Sequence, residues 1–250
     1  MVIYFFIHIP RTAGTYLEGL IEKSEYKFIN LFKCNYGLHE TLVKSKKFQE
    51  FKNIILSEKD DVIISGHIGC DLINRLKTET NLNIKMFTIL RDPLDKVPSM
   101  FIKNSNRKNY GLMKFIGSNI EINSLEYWKK VDMILEDIKR FIDLKLRLVH
   151  EALNYNNYMT RIFAGLPLDQ FIEITDDHYK TANNNLKNIT KCYYIDNYID
   201  IQNLNSLLKT NFEVTKKGKI PKYNFTNKTK ELIIKNNKYD ILLMKNHFKK

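Results

Sequence analysis

The sequence predicts an α/β fold built on a parallel β-sheet flanked by helices on both faces, and three observations lead there. Val2 to Ile9 is a near-continuous apolar run of strand length, rich in β-branched and aromatic residues, as expected of a strand covered on both sides. Val62 to Ser65 and Ile84 to Leu90 repeat that character. Helical patterns separate these runs, and strands alternating with helices build parallel sheets.

The first strand stops at Pro10. Arg11, Thr12, Ala13, Gly14 and Thr15 are small, hydroxylated or cationic, and Leu17, Leu20 and Ile21 then start an amphipathic helix. A strand, a tight turn of small residues and a helix N-terminus together aim backbone N–H groups at one point, where a phosphate or sulfate is held. The nucleotide-triphosphatase loop G-x-x-x-x-G-K-[ST] is a different cradle, because its Lys and hydroxyl serve the phosphates and Mg²⁺. Pro10 to Thr15 is shorter, has one Gly and carries its cation in front.

The second strand ends in Gly66-His67, at the sheet edge where open α/β folds bind ligands. An imidazole there suits proton transfer near neutrality, and a hydrogen-bonded structural histidine is the alternative. His8 belongs to the first strand and is expected to pack or brace the loop, whereas His39, His150, His178 and His247 have no supporting neighbours in sequence. After Ile84 to Leu90 comes Arg91 at the strand end, then Asp92 as a helix cap with Pro93 at the first helical position. Ser99 follows nearly two turns on, so Arg91 and Ser99 are expected to grip one phosphate from two sides. Pro98 falls inside that helix and removes a backbone hydrogen bond.

Further along, a helix is expected from Ser124 to Asp143, preceded by an aperiodic stretch from Leu112 to Asn123 that is a candidate wall of a ligand cleft. Within Asn157 to Gly165, Asn157 and Arg161 are expected to share one helix face, as ligand contacts or as a solvated face. Ala182 to Leu208 reads as helix, strand (Lys191 to Ile195) and helix. The basic cluster Lys216-Lys217-Gly218-Lys219, with Lys222 and Asn224 to Thr229, is expected to form a loop before the last helix.

Pro10 to Thr15, P-R-T-A-G-T, resembles the 5′-phosphosulfate-binding loop of sulfotransferases that use 3′-phosphoadenosine 5′-phosphosulfate (PAPS). Arg91 to Phe101 resembles their 3′-phosphate motif, R-D-P-x-x-[RK]-x-x-S-x-[YF]. Gly66-His67-Ile68-Gly69 resembles the strand-end Gly-His of the carbohydrate sulfotransferases related to heparan sulfate 2-O- and 6-O-sulfotransferases, whose His is the proposed base. Asn157 to Gly165 is similar to their N-x-x-[ST]-R-x-[LF]-A-G segment. The resemblance implies one P-loop-like sulfotransferase domain over residues 1–250, PAPS as sulfuryl donor without a metal, and a hydroxyl-bearing acceptor, a glycan. It implies cofactor contacts from Arg11, Thr12, Ala13, Gly14, Thr15, Arg91 and Ser99. His67 would be the catalytic base, and Arg11 would neutralise charge on the leaving oxygen. The chain departs from the family pattern at Arg11, where Lys is commoner, at Pro98, and at Tyr193, Tyr194 and Asp196, near which the family carries Gly-Leu and Glu.

Composition agrees with one ordinary domain: 250 residues, 44% apolar, are enough for a single sizeable core. No stretch has the length of a membrane span, and the first strand begins almost at Met1, so no signal peptide or anchor is expected and the expected location is cytoplasmic. Three cysteines, Cys34, Cys70 and Cys192, lack metal-site spacing and fit a reducing compartment. The net charge of +12 suits an anionic donor and acceptor, while the dispersed Lys and Arg residues, without interleaved aromatics, argue against nucleic acid. Two other readings stay open: a nucleotide kinase-like phosphoryl transferase, and a non-catalytic binder of anionic ligands.

Overall fold

The computed structural model describes residues 1–31, 47–106, 112, 116–139, 153, 155–168, 170–195, 198–208 and 223–247. Its chain is an α/β fold around one five-stranded sheet, all parallel, with strand order 2-3-1-4-5. The strands are β1 (Ile3–Ile7), β2 (Lys27–Asn30), β3 (Val62–Gly66), β4 (Ile84–Leu90) and β5 (Lys191–Tyr194). Ten helices are described: α1 (Gly14–Ile21), α2 (Lys47–Ser57), α3 (Cys70–Glu79), α4 (Pro93–Ser105), α5 (Leu125–Glu136), α6 (Tyr158–Ala164), α7 (Asp176–Lys187), α8 (Tyr198–Leu207), α9 (Asn227–Asn236) and α10 (Lys238–His247). None of the described helices is long and apolar enough to cross a membrane.

The chain divides into two compact units, 1–91 with 159–168 and 174–215, and 92–158 with 169–173 and 216–250. The first holds the whole sheet. All residues of β1 and β3 are buried, so both faces of these central strands are covered, as their continuous apolar runs require. Tyr4 and Phe6 on one face pack with Leu17 and Ile21 of α1 and with Leu204 and Leu208 from the α8 end. Ile7 stands opposite both Gly66 and Thr88, so the segments that follow β1, β3 and β4 leave the sheet along one edge.

The second unit is helical, with Phe101, Tyr127, Trp128, Val131, Tyr155 and Ile233 in its core. Leu112 and Ile116 are buried in the same cluster, so these two residues of the aperiodic stretch serve packing rather than a cleft wall. α5 ends at Glu136, earlier than expected, and residues 140–143 lie outside the described ones. Asn227 to Thr229 form the first turn of α9, not a loop: the Thr226 side chain accepts from the Thr229 N–H and caps the helix. The Lys216 to Lys222 cluster, Cys34, His39, His150 and Asp196 lie outside the described residues.

Candidate functional site

The turn between β1 and α1 is the most strained backbone in the first unit. Arg11 and Ala13 have φ of 66° and 63°, left-handed values that side-chain-bearing residues rarely adopt, while Thr12 between them does not. Each such residue costs roughly 1–3 kcal/mol, and the alternation of hand curls successive N–H groups toward one side. Ala13 is the N-cap of α1 and supplies no side-chain hydrogen bond, so the first N–H groups of the helix are left for another acceptor. The Thr12 hydroxyl is turned inward, donating to the Ile9 carbonyl at 2.7 Å, so Thr12 offers the turn only its backbone. Thr15 is exposed beside it.

Arg91, at the end of β4, reaches this turn: Nη1 donates to the Arg11 carbonyl at 3.2 Å. The residue is 9% exposed, and its Nε has no hydrogen-bond partner among the described residues. A buried guanidinium with a donor unused is costly unless an acceptor arrives. The same guanidinium reaches the strained turn through Nη1.

His8 and His67 meet at the same edge, their rings stacked with centroids 4.7 Å apart. Gly66 lets β3 approach closely, since a Cβ there would sit 3.1 Å from the Leu31 side chain. His67 follows it, half-buried, whereas His8 is 6% exposed. His8 Nδ1 lies 3.0 Å from Glu18 Oε1, and Ser65 Oγ donates to the same oxygen at 2.5 Å. Burial pushes the Glu18 carboxyl up, but the hydrogen bonds from His8, Ser65 and Asn30 and the His8 charge outweigh it and hold it below the ordinary value. The carboxylate can only accept, so His8 Nδ1 is the donor. Glu18 and Ser65 escaped the motif reading. One signal was present: Glu18 falls in the buried series Gly14, Leu17, Glu18, Ile21, and a carboxylate on the core face of a helix needs a buried partner.

Gly14 answers to space, because a Cβ there would stand 2.0 Å from His8 Nε2 and 2.1 Å from Cδ2. The single glycine of the turn is therefore the seat of the His8 ring. In comparisons with known proteins, no family model matches the chain, and a search of curated proteins finds no match. The structure thus gathers Arg11, Thr12, Ala13, Gly14, Thr15, His67 and Arg91 within one unit, and adds His8, Glu18 and Ser65.

Ser99 belongs to the second unit, 5% exposed within α4. That helix starts as expected: the Asp92 side chain accepts from the Leu94 N–H at 2.8 Å, Pro93 is at its first turn and Pro98 lies inside it. Lys96 is fully buried, its Nζ 5.0 Å from the centroid of the Tyr158 ring. Burial pushes its ammonium down to about 8, against the opposing pull of Asp240. Asn157 does not share a helix face with Arg161; it stands before α6 with φ 46°, and its Oδ1 accepts from the Tyr239 and Asp240 N–H groups. Its side chain thereby caps α10. Arg161 is fully buried. His178 closes a capping box with Thr175 at the start of α7.

Proposed function

We propose that this protein is a PAPS-dependent sulfotransferase with a P-loop-like fold, helices on both faces of its sheet, which moves a sulfuryl group to a hydroxyl, with a carbohydrate as acceptor. The observation that carries the reading is the strained Arg11–Ala13 turn at an uncapped helix N-terminus, joined by the buried Arg91 Nε. The turn suits the phosphosulfate end of the donor and the guanidinium its 3′-phosphate, since aligned N–H groups and a cation answer anions that bring acceptors only. When bound, the donor supplies a sulfuryl group on a phosphate leaving group.

The remaining chemistry belongs to the chain. Backbone N–H groups of Thr12 to Thr15 hold the anion, and Arg11 neutralises the charge that develops on the leaving oxygen. His67 takes the proton of the acceptor hydroxyl as its oxygen attacks. Arg91 holds the 3′-phosphate. Arg11 in place of Lys keeps the charge and offers a planar fork of donors.

Thermal melting of the full chain tests the reading. 3′-Phosphoadenosine 5′-phosphate should raise the melting temperature without added metal, and more than ATP with Mg²⁺ does. An equal or larger shift from ATP with Mg²⁺ would favour a phosphoryl transferase. Mass spectrometry of glycan acceptors after incubation with PAPS then reads transfer, and His67→Ala should lower it by about 10²–10⁴ without loss of nucleotide binding. Nucleotide binding without any sulfated product from glycans, lipids or small alcohols would leave a binding protein.

A further inference from the structure

We infer that His8 is a positioning residue, clamped by Glu18, which sets both the anion-binding turn and the His67 imidazole. The geometry runs through a single ring. Its Nδ1 edge is fixed by Glu18, one turn into α1, and that carboxylate is fixed in turn by the Ser65 hydroxyl at the end of β3. Its opposite edge, Nε2 and Cδ2, fills the space above Gly14 that a Cβ would need. One face of the ring stacks on His67 at 4.7 Å, and it also lies parallel to Phe6 within 10°, with centroids 5.5 Å apart. At 6% exposure the ring is buried.

The start of α1 and the end of β3 are therefore both referred to His8. The first turn of α1, which carries the N–H groups of the cradle, rests on the ring edge through Gly14. The base proposed above rests on the ring stack. Glu18 joins the three segments β1, α1 and β3, so the loop and the histidine keep one mutual geometry. Sites of this kind depend on the groups behind the contacting ones, because a misplacement of about 1 Å can cost about 100-fold. The role of His8 differs from that of His67: it touches neither anion nor hydroxyl and acts through its neighbours.

The nucleotide arm of the test rests on the proposed function, and the spectroscopic arm does not. In the full chain, affinity for 3′-phosphoadenosine 5′-phosphate is measured by calorimetry, and the His67 ring resonances are followed by NMR without nucleotide. His8→Ala should weaken the nucleotide by about 10-fold to 100-fold and shift the His67 ring resonances, while the folded baseline of the melt is kept. Glu18→Ala should do the same. Glu18→Gln retains an acceptor for His8 Nδ1 and should restore most of the affinity and the native His67 resonances. Should His8→Ala fail to fold, His8→Asn, whose amide can still donate to Glu18 but leaves Gly14 and His67 uncovered, should show the same two changes. A folded His8 variant with native affinity, or a folded Glu18→Ala variant, which keeps the His8 ring and its ring current, with unmoved His67 resonances, would overturn the proposal, leaving His8 a core residue only. If the wild type does not bind the nucleotide, the sulfotransferase reading falls, and the His67 resonances of the Glu18→Ala variant still decide the positioning role.

Discussion

Replacing Gly14 by Ala puts two effects of opposite sign on one position. Gly14 is the first residue of α1 and its φ is not left-handed, so Ala should favour the helix by about 0.5–1 kcal/mol. Against this, the new methyl would sit 2.0 Å from His8 Nε2, where ordinary contact begins at 3.4 Å, so the ring must retreat by 3.4 less 2.0, or 1.4 Å. Overpacking typically costs about 1–3 kcal/mol, and loss of the hydrogen bond to the Glu18 carboxylate adds about 1.5–3 kcal/mol. The clash wins, and Gly14→Ala should destabilise by about 1.5–5.5 kcal/mol. Urea unfolding followed by far-ultraviolet circular dichroism measures it, and a double-mutant cycle with His8→Ala isolates the cause. In the His8→Ala background the obstructing ring is gone, so Gly14→Ala should there be neutral or stabilising by up to about 1 kcal/mol. A Gly14→Ala variant as stable as the wild type would refute the packing argument, and so would an equal loss in both backgrounds.

Three further outcomes are expected. Arg91→Ala should weaken 3′-phosphoadenosine 5′-phosphate by roughly 2–5 kcal/mol, for loss of a buried charged contact, and 5′-AMP by only about 1 kcal/mol, for the lost bond to the Arg11 carbonyl. Calorimetry with both nucleotides reads the split, and equal losses would place Arg91 in the turn alone. Folded Lys96 releases its proton near pH 8 while the unfolded chain keeps it to 10.5, so the unfolded chain binds more protons across that window. At 1.36 kcal/mol per pH unit, wild-type stability relative to Lys96→Met should rise by about 3 kcal/mol from pH 8 to 10.5, and a flat or falling difference in urea titrations would contradict the buried ammonium. Asn157→Ala removes the cap of α10 and puts Ala at a left-handed φ, so it should cost about 2–3 kcal/mol; Asn157→Gly, which accepts that φ, should recover part of the loss in the same assay.

What could be read in the sequence was local. Ile84 to Leu90 is a strand with the expected bounds, and Asp92-Pro93 starts a helix as expected, because an apolar run, a capping carboxylate and a fixed φ act within a few residues. β2 was missed because Lys27-Phe28-Ile29-Asn30 is too short to show a period, and its strand character comes from pairing with β3. Asn157 was misread because its partners, Tyr239 and Asp240, lie more than eighty residues on, and nothing near Asn157 announces them.

The sequence by itself determined the strand, the small-residue turn and the helix from Ile3 to Ile21, with the Gly66-His67 and Arg91 strand ends, since each follows from short-range sterics and burial. Only the tertiary structure decided that His8 sits on Gly14, that Glu18 joins His8 to Ser65, and that Arg91 reaches the Arg11 carbonyl. These contacts span 10, 47 and 80 residues of chain for the Glu18–His8, Glu18–Ser65 and Arg91–Arg11 pairs. They exist because parallel pairing sets Ile7 against Gly66 and Thr88, which brings the three strand ends to one edge. A one-residue slip in that register would turn the side chains to opposite faces, so the site depends on pairing that no single segment encodes.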